Sequence, residues 1–232
     1  MAPAAQSNDI DPDDIDSDLI ARAVDILKSG GLVAFPTDTL YGLGADGFSQ
    51  SAVEGVLRAK GRKSGNPVPL LIASADSLAD VVATVHPYVA ALAKAFWPGP
   101  MTLVLPALPE VPDAVTAGTG TVGVRVPGHP VPLALIRGLG RPITGTSANR
   151  SGTPPTRLAS EVAANLADSV DLVIPGRCGE AGEEELPSTV IDCTATPPRI
   201  TRNGALPAYE VLRVIQQGYR DLKSPGGESE TS

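Results

Sequence analysis

Residues 33–72 read VAFPTDTLYGLGADGFSQSAVEGVLRAKGRKSGNPVPLLI, and the fold turns on how this stretch is parsed. Val33, Ala34 and Phe35 form a short apolar run halted by Pro36, which predicts a buried strand delivering Thr37, Asp38, Thr39 and Tyr41 beyond its end. Gly42, Gly44 and Gly47 predict a loosened backbone after it. Ser51 followed by Glu54 has the form of a capping box, and Val53, Val56 and Leu57 make the apolar stripe of the helix it would start. Arg58, Lys60, Arg62 and Lys63 then place four cations within six residues, before Asn66-Pro67 turns the chain into the apolar run Val68 to Ile72.

Cations at a helix C-terminus complement the macrodipole and are commonly just a solvated end. The hydroxyl-rich turn after the preceding strand points the other way, because ligands of open α/β sheets sit beyond strand ends. On a chain of formal net charge -8, a local basic cluster implies a small anionic ligand.

Composition narrows the classes. The 232 residues, 42% of them hydrophobic, suffice for a proper core. Aromatic side chains are only 3%, so stacking platforms for single-stranded nucleic acid are scarce. Lys+Arg number 18 against 26 Asp+Glu, which disfavours an extended phosphate-tracking surface; weak or no direct RNA binding is expected. Cys178 and Cys193 lack CxxC spacing and His86 and His129 add no ligand pattern, so no protein-bound metal is expected. With no basic leader before an apolar core and no apolar run of about 18 residues, the expectation is a cytoplasmic protein with no membrane segment.

Along the chain, residues 1–16 read as a disordered acidic arm, 17–217 as one undivided domain, and 218–232 as a disordered tail. Ser17 is expected to cap a helix carrying Leu19, Ile20, Ala23, Val24 and Leu27, stopped by Gly30-Gly31. Further helices are expected over Ser74–Val85, Pro87–Phe96, Val131–Leu139, Ala159–Leu166 and Ala208–Gln217. Strands are expected over Met101–Leu105, Thr121–Val126, Leu172–Ile174, Leu186–Asp192 and Arg199–Arg202, with Val111–Gly120 a loop. Trp97 reads as a packing residue under a Pro/Gly turn. Arg125 interrupts an apolar strand, so it must reach solvent or meet an anion, either a salt-bridge partner or a ligand. His129 reads as a turn residue. Ile143-Thr144-Gly145-Thr146-Ser147-Ala148-Asn149 offers small hydroxyls and an amide suited to phosphate or sugar oxygens, although such a run also suits a plain Asx or Ser/Thr turn. The segment 177–185, rich in glycine and glutamate, reads as an exposed loop.

Taken together, PTDTLYGLGAD at 36–46, Lys60-x-Arg62 with Asn66-Pro67, WPGPMTLVL at 97–105, VGVRVPGHP at 122–130, TSANRSG at 146–152, PSTVID at 187–192 and RNG at 202–204 resemble the YrdC/TsaC family of threonylcarbamoyl-AMP synthases. The resemblance runs over roughly residues 17–217 in the family's order. It implies an α/β fold, a YrdC-like twisted open mixed sheet flanked by helices around a positively charged concave cavity. It also implies a nucleotidyltransferase joining L-threonine, bicarbonate or CO2, and ATP into threonylcarbamoyl-AMP and pyrophosphate. A downstream tRNA threonylcarbamoyl transferase complex would then modify adenosine 37 of tRNA. By the same implication ATP would be a substrate, and Mg2+ would be held mainly by its oxygens.

By the same resemblance, Thr39, Arg125, Gly145 and Ser188 would bind threonine. Lys60, Arg62, Asn66, Thr121, Ser147, Asn149, Pro155 and Arg202 would bind ATP, with Lys60 and Arg62 carrying catalysis. Tyr41 would shape the pocket, and loop 177–185 is a candidate lid. Some relatives carry histidine where Leu71 stands, and longer ones add a C-terminal domain, so a short single-domain form is expected here. The rival readings are a non-catalytic double-stranded RNA or tRNA module using the same basic cavity, and a related carbamoyl-adenylate domain with another substrate.

Overall fold

The structure is a computed structural model that describes residues 16–62, 65–179 and 186–223. The rest of the expected arm, Lys63, most of the 177–185 loop and the end of the tail lie outside the described residues.

Helix α1 (Ser17–Lys28) is capped by Asp16 rather than by Ser17: its carboxylate accepts from Asp18 N at 2.9 Å and Leu19 N at 3.1 Å. One acid thereby satisfies two orphan N–H groups and complements the positive end of the helix. Strand β1 (Val33–Phe35) is fully buried and pairs antiparallel with β2 (Gly42–Gly44). With β7 (Thr146–Ser147) and β8 (Leu172–Val173) they form a sheet of order β7-β2-β1-β8. Gly42 and Gly44 are therefore strand residues, not a loosened backbone. A Cβ on either would come within 2.8 or 2.5 Å of the Phe35 ring, so the glycines exist to let that ring lie flat on the sheet.

Helix α2 (Gln50–Ala59) begins two residues earlier than the Ser51 cap expected. Asp46 accepts from Phe48 N and Ser49 N, which holds Ser49 in an extended conformation where its hydroxyl caps Ala52 N. Glu54 instead accepts from Gln50 along the helix at 2.8 Å. The expected helix over Ser74–Val85 shrinks to one 3-10 stretch, Ala75–Asp80, because Val82 pairs with Ala107 as an isolated bridge.

The larger sheet runs β10 (Arg199–Arg202), β9 (Thr189–Asp192), β4 (Met101–Pro106), β5 (Thr121–Arg125), β3 (Leu70–Leu71), β6 (Ile143–Thr144), mixing parallel and antiparallel pairs. The expected mixed α/β architecture is thus present, with its strands divided between two sheets. Between β6 and β7 stands one residue, Gly145, at which the chain passes from one sheet to the other. A Cβ there would lie 2.4 Å from Leu71 Cγ, so only glycine fits the seam. Thr144 stitches the sheets by donating its hydroxyl to Leu43 O at 3.1 Å and accepting from Ala45 N at 3.0 Å.

Strand period then divides the larger sheet into two faces. Val122, Val124, Leu103, Leu105 and Ile191 point to a core closed by α3 (Pro87–Phe96) and α7 (Ala208–Lys223). Val122 and Val124 are 0% exposed, and burying each contributes about 1.5–3 kcal/mol. Thr102, Val104, Thr121, Gly123 and Arg125 alternate with them and point to the other face, which is left open. Helix α7 continues six residues past Gln217, so the segment expected as tail starts as helix. Helices α1 and α5 (Pro130–Leu139) cover β1 with Phe35 and Leu71, while α2 and α6 (Ala159–Leu166) cover Ala34 and Leu43. A single turn of helix, α4 (Asp113–Thr116), interrupts the expected 111–120 loop. Among the described residues no helix is long and apolar enough to cross a membrane.

Candidate active site

The open face of the larger sheet is the floor of a cavity of about 860 Å³, walled by the β1–β2 turn, the end of α2 and the Gly145 seam. Lys60, Arg62, Arg125 and Arg202 all line it, and no Asp or Glu stands among its described lining residues. All of the site residues expected from sequence reach this one cavity: Thr39, Gly145 and Ser188, Asn66, Thr121, Ser147, Asn149 and Pro155 with the four cations. Of the basic cluster, Arg58 stays outside the cavity, exposed and 4.0 Å from Glu54, as a solvated helix end should.

Arg125 ends β5 on the cavity face, and its charge meets an internal anion first. Nη2 donates to Asp38 Oδ1 at 2.5 Å, Nη1 to Thr39 Oγ1 at 3.2 Å and Nε to Gly99 O at 2.9 Å. The salt bridge and the cavity position coexist. Across the floor, Ser188 Oγ lies 2.8 Å from Thr102 Oγ1, a residue that sequence reasoning missed because a lone threonine in an apolar strand carries no local signal. Arg202, expected on the nucleotide side, reaches this group, donating from Nη2 to Ser188 Oγ at 3.0 Å and to Ser188 O at 2.8 Å. Burial, and secondarily the nearby Arg125 charge, lowers the pKa of Arg202. Two guanidinium groups thus face a common space.

Lys60 is 4% exposed, and its ammonium donates to Ser147 O, to Asn149 O at 2.8 Å and to Asn149 Oδ1 at 3.3 Å. Ser147 Oγ donates to the same Asn149 Oδ1 at 2.6 Å, while Asn149 Nδ2 donates to Thr153 O at 2.6 Å. The residues expected as separate phosphate contacts are one locked unit, with all three ammonium protons directed at protein oxygens. Burial first, then the charge of Arg62, lowers the Lys60 pKa from 10.5 to about 8. Arg62 is half-buried, its own pKa lowered by burial, and it lines the cavity beyond this unit.

Tyr41 is buried with its hydroxyl between Ile174 O at 3.1 Å and Gly176 O at 3.0 Å, which makes it a wall. His129 caps α5 by accepting from Val131 N on Nδ1, leaving Nε2 to donate to Arg177 O at 3.1 Å. Gly179 N donates to Thr37 O, so the described start of the 177–185 loop is tied to the turn after β1. Trp97 packs on the core and donates to Met101 O at 2.7 Å. Among the described residues no cluster of three or more His, Cys, Asp or Glu could hold a metal.

Residues 25–204 match the Sua5/YciO/YrdC family model, whose description reads "Telomere recombination". The chain belongs to the Sua5/YciO/YrdC family. It is 43% identical over 196 residues to the threonylcarbamoyl-AMP synthase of Pyrococcus abyssi and 40% identical over 197 residues to that of Bacillus subtilis, with 84% of this chain covered in each case. The chain spans only 57% and 56% of the length of these two relatives. Among solved structures, P. abyssi Sua5 complexed with L-threonine superposes with a TM-score of 0.81 at 42% identity, covering 84% of this chain and 57% of that one. The Sua5/YrdC fold is thus shared with proteins named as synthases.

Proposed function

We propose that this Sua5/YrdC-family chain is an L-threonylcarbamoyladenylate synthase, a nucleotidyltransferase that makes threonylcarbamoyl-AMP and pyrophosphate from L-threonine, bicarbonate or CO2, and ATP. The observation that carries the reading is the convergence of four cations and two hydroxyl clusters, with no carboxylate among the described lining residues, on one concave floor. Such a lining suits substrates whose charges are all negative: an amino-acid carboxylate, a carbamate and a triphosphate. Arg125 with Thr39 and Ser188 takes the threonine end, beside the Gly145 seam. Arg62, Asn66 and the Lys60–Ser147–Asn149 unit take the triphosphate, with Thr121 and Pro155 at the rim. Arg202 stands between the two ends, where it can bear on both.

In the reaction, the threonine amine adds to CO2 and releases a proton. A carbamate oxygen then forms a bond to the α-phosphorus as the bond to the β-phosphate oxygen breaks and pyrophosphate leaves. The attacking group is already an anion, so the protein's task is alignment and charge neutralisation rather than proton abstraction. The cavity lining has hydroxyls and an amide to offer a metal, which fits a Mg2+ carried chiefly by ATP oxygens and neutralising them. The adenylate would pass to a transferase complex that modifies adenosine 37 of tRNA.

The test is pyrophosphate release in RNA-free buffer with ATP and bicarbonate, assayed with each amino acid in turn. Threonine-dependent release is expected without tRNA. Release that appears only with tRNA, or with an unrelated amino acid, would favour the RNA-module or alternative-substrate reading.

The lowered Lys60 pKa adds a pH dependence. A lysine titrating near 8 is a full cation at lower pH and neutral above it, so phosphate neutralisation and the three donated hydrogen bonds weaken together as pH rises. At saturating threonine, kcat/KM for ATP should fall through about pH 8. A flat profile up to about pH 9.5 would remove the Lys60 charge from ATP capture.

A further inference from the structure

Asp38 lies behind the cavity wall that its neighbours Thr37 and Thr39 form. The turn that carries it is rigid: Thr37 Oγ1 accepts from Thr39 N at 3.1 Å and Leu40 N at 3.3 Å and donates to Leu40 O at 2.7 Å. Its Oδ1 takes the 2.5 Å bond from Arg125, whereas its Oδ2 is buried without any hydrogen-bond partner. The loop after β5 closes over that oxygen, since a Cβ on Gly128 would lie 3.3 Å from it. A buried carboxylate oxygen left unpaired is costly, and burying an ion pair is seldom the cheapest way to stabilise a fold. The arrangement makes sense if the position of Arg125 is what matters.

The geometry of the fork supports this. Of the five N–H bonds of a guanidinium, Asp38, Thr39 and Gly99 engage three, one at each nitrogen. One N–H on each terminal nitrogen remains, and a ligand carboxylate is a fitting acceptor for such donors. We infer that Asp38 is a positioning residue that braces Arg125 from behind, so that the N–H groups still free are held toward the amino-acid carboxylate in the cavity. The inference rests on the assignment of Arg125 to threonine.

Charge and position predict opposite signs, which makes the test decisive. Removing a nearby anion should strengthen the pull of Arg125 on a carboxylate; removing a brace should weaken recognition by letting the fork turn. Threonine and ATP kinetics of pyrophosphate release are measured for Asp38→Ala and Asp38→Glu. With Asp38→Ala the threonine KM is expected to rise about 10-fold or more, the scale of losing a charge-assisted contact, with kcat changed less than about threefold and the ATP KM unmoved. An unchanged or lower threonine KM overturns the inference, as does a parallel rise in the ATP KM. If Asp38→Ala does not fold, Asp38→Glu decides: it keeps the charge but adds a methylene against the Gly128 loop, so a threonine KM at the wild-type value overturns the bracing role and a raised one supports it. Arg125→Ala separates the two layers. Undiminished threonine binding in that variant removes the threonine assignment itself, whereas its loss combined with a wild-type KM in the Asp38 variants removes only the brace.

Discussion

Arg62→Ala is expected to lower turnover of pyrophosphate release by about 10²-fold or more while leaving the fold intact. Arg62 lines the cavity and, unlike Lys60, is not consumed in tying the 147–149 turn, so it is the cation at the end of α2 best able to meet the charge that develops as pyrophosphate departs. Donors preorganised toward such charge are worth about 10² to 10³ in rate each. The truncation leaves no buried partner without its counter-charge, because no carboxylate stands among the described lining residues. Thermal unfolding should therefore match wild type, and near-normal turnover in a folded Arg62→Ala protein would sink its catalytic assignment.

Arg125→Ala is expected to abolish measurable threonine binding by calorimetry while ATP still binds. The guanidinium supplies the charge-assisted pair to the carboxylate, and each such hydrogen bond is worth about 1.5–3 kcal/mol. The same substitution has a second, separable effect on stability. It strands the Asp38 carboxylate, whose side chain is 15% exposed, and breaking a buried pair from one side costs about 3–5 kcal/mol. Replacing both partners, as in the double variant Arg125→Met with Asp38→Asn, should recover much of that stability without recovering threonine binding. Recovery of both would return Arg125 to a purely structural role.

Much of this protein was legible in one dimension. The apolar run Val33–Phe35 halted by Pro36 and the alternation through Thr121–Val126 are local signals that need no partner to be read, and they correctly located β1 and β5. The motif set also identified every cation among the described cavity residues, because small hydroxyl turns and closely spaced Lys and Arg are local features. Helix boundaries were less legible: Asp16 over Ser17, and Ser49 over Ser51, were chosen by the path of the chain entering each helix.

What tertiary structure alone decided is which partner each polar group received. Arg125 was visibly out of place in its strand, but Asp38 lies 87 positions away, and only the pairing of β1 and β5 within their separate sheets brings the two within 2.5 Å. Likewise Lys60 reaches Asn149 across 89 positions, and Thr102 reaches Ser188 across 86. Sequence periodicity reports whether a side chain faces core or solvent, since that depends on the local backbone period. Hydrogen bonds and ion pairs act over about 3 Å, a distance that residues so remote in the chain attain only when the sheets have closed, so the wiring of the site belongs to the packed fold.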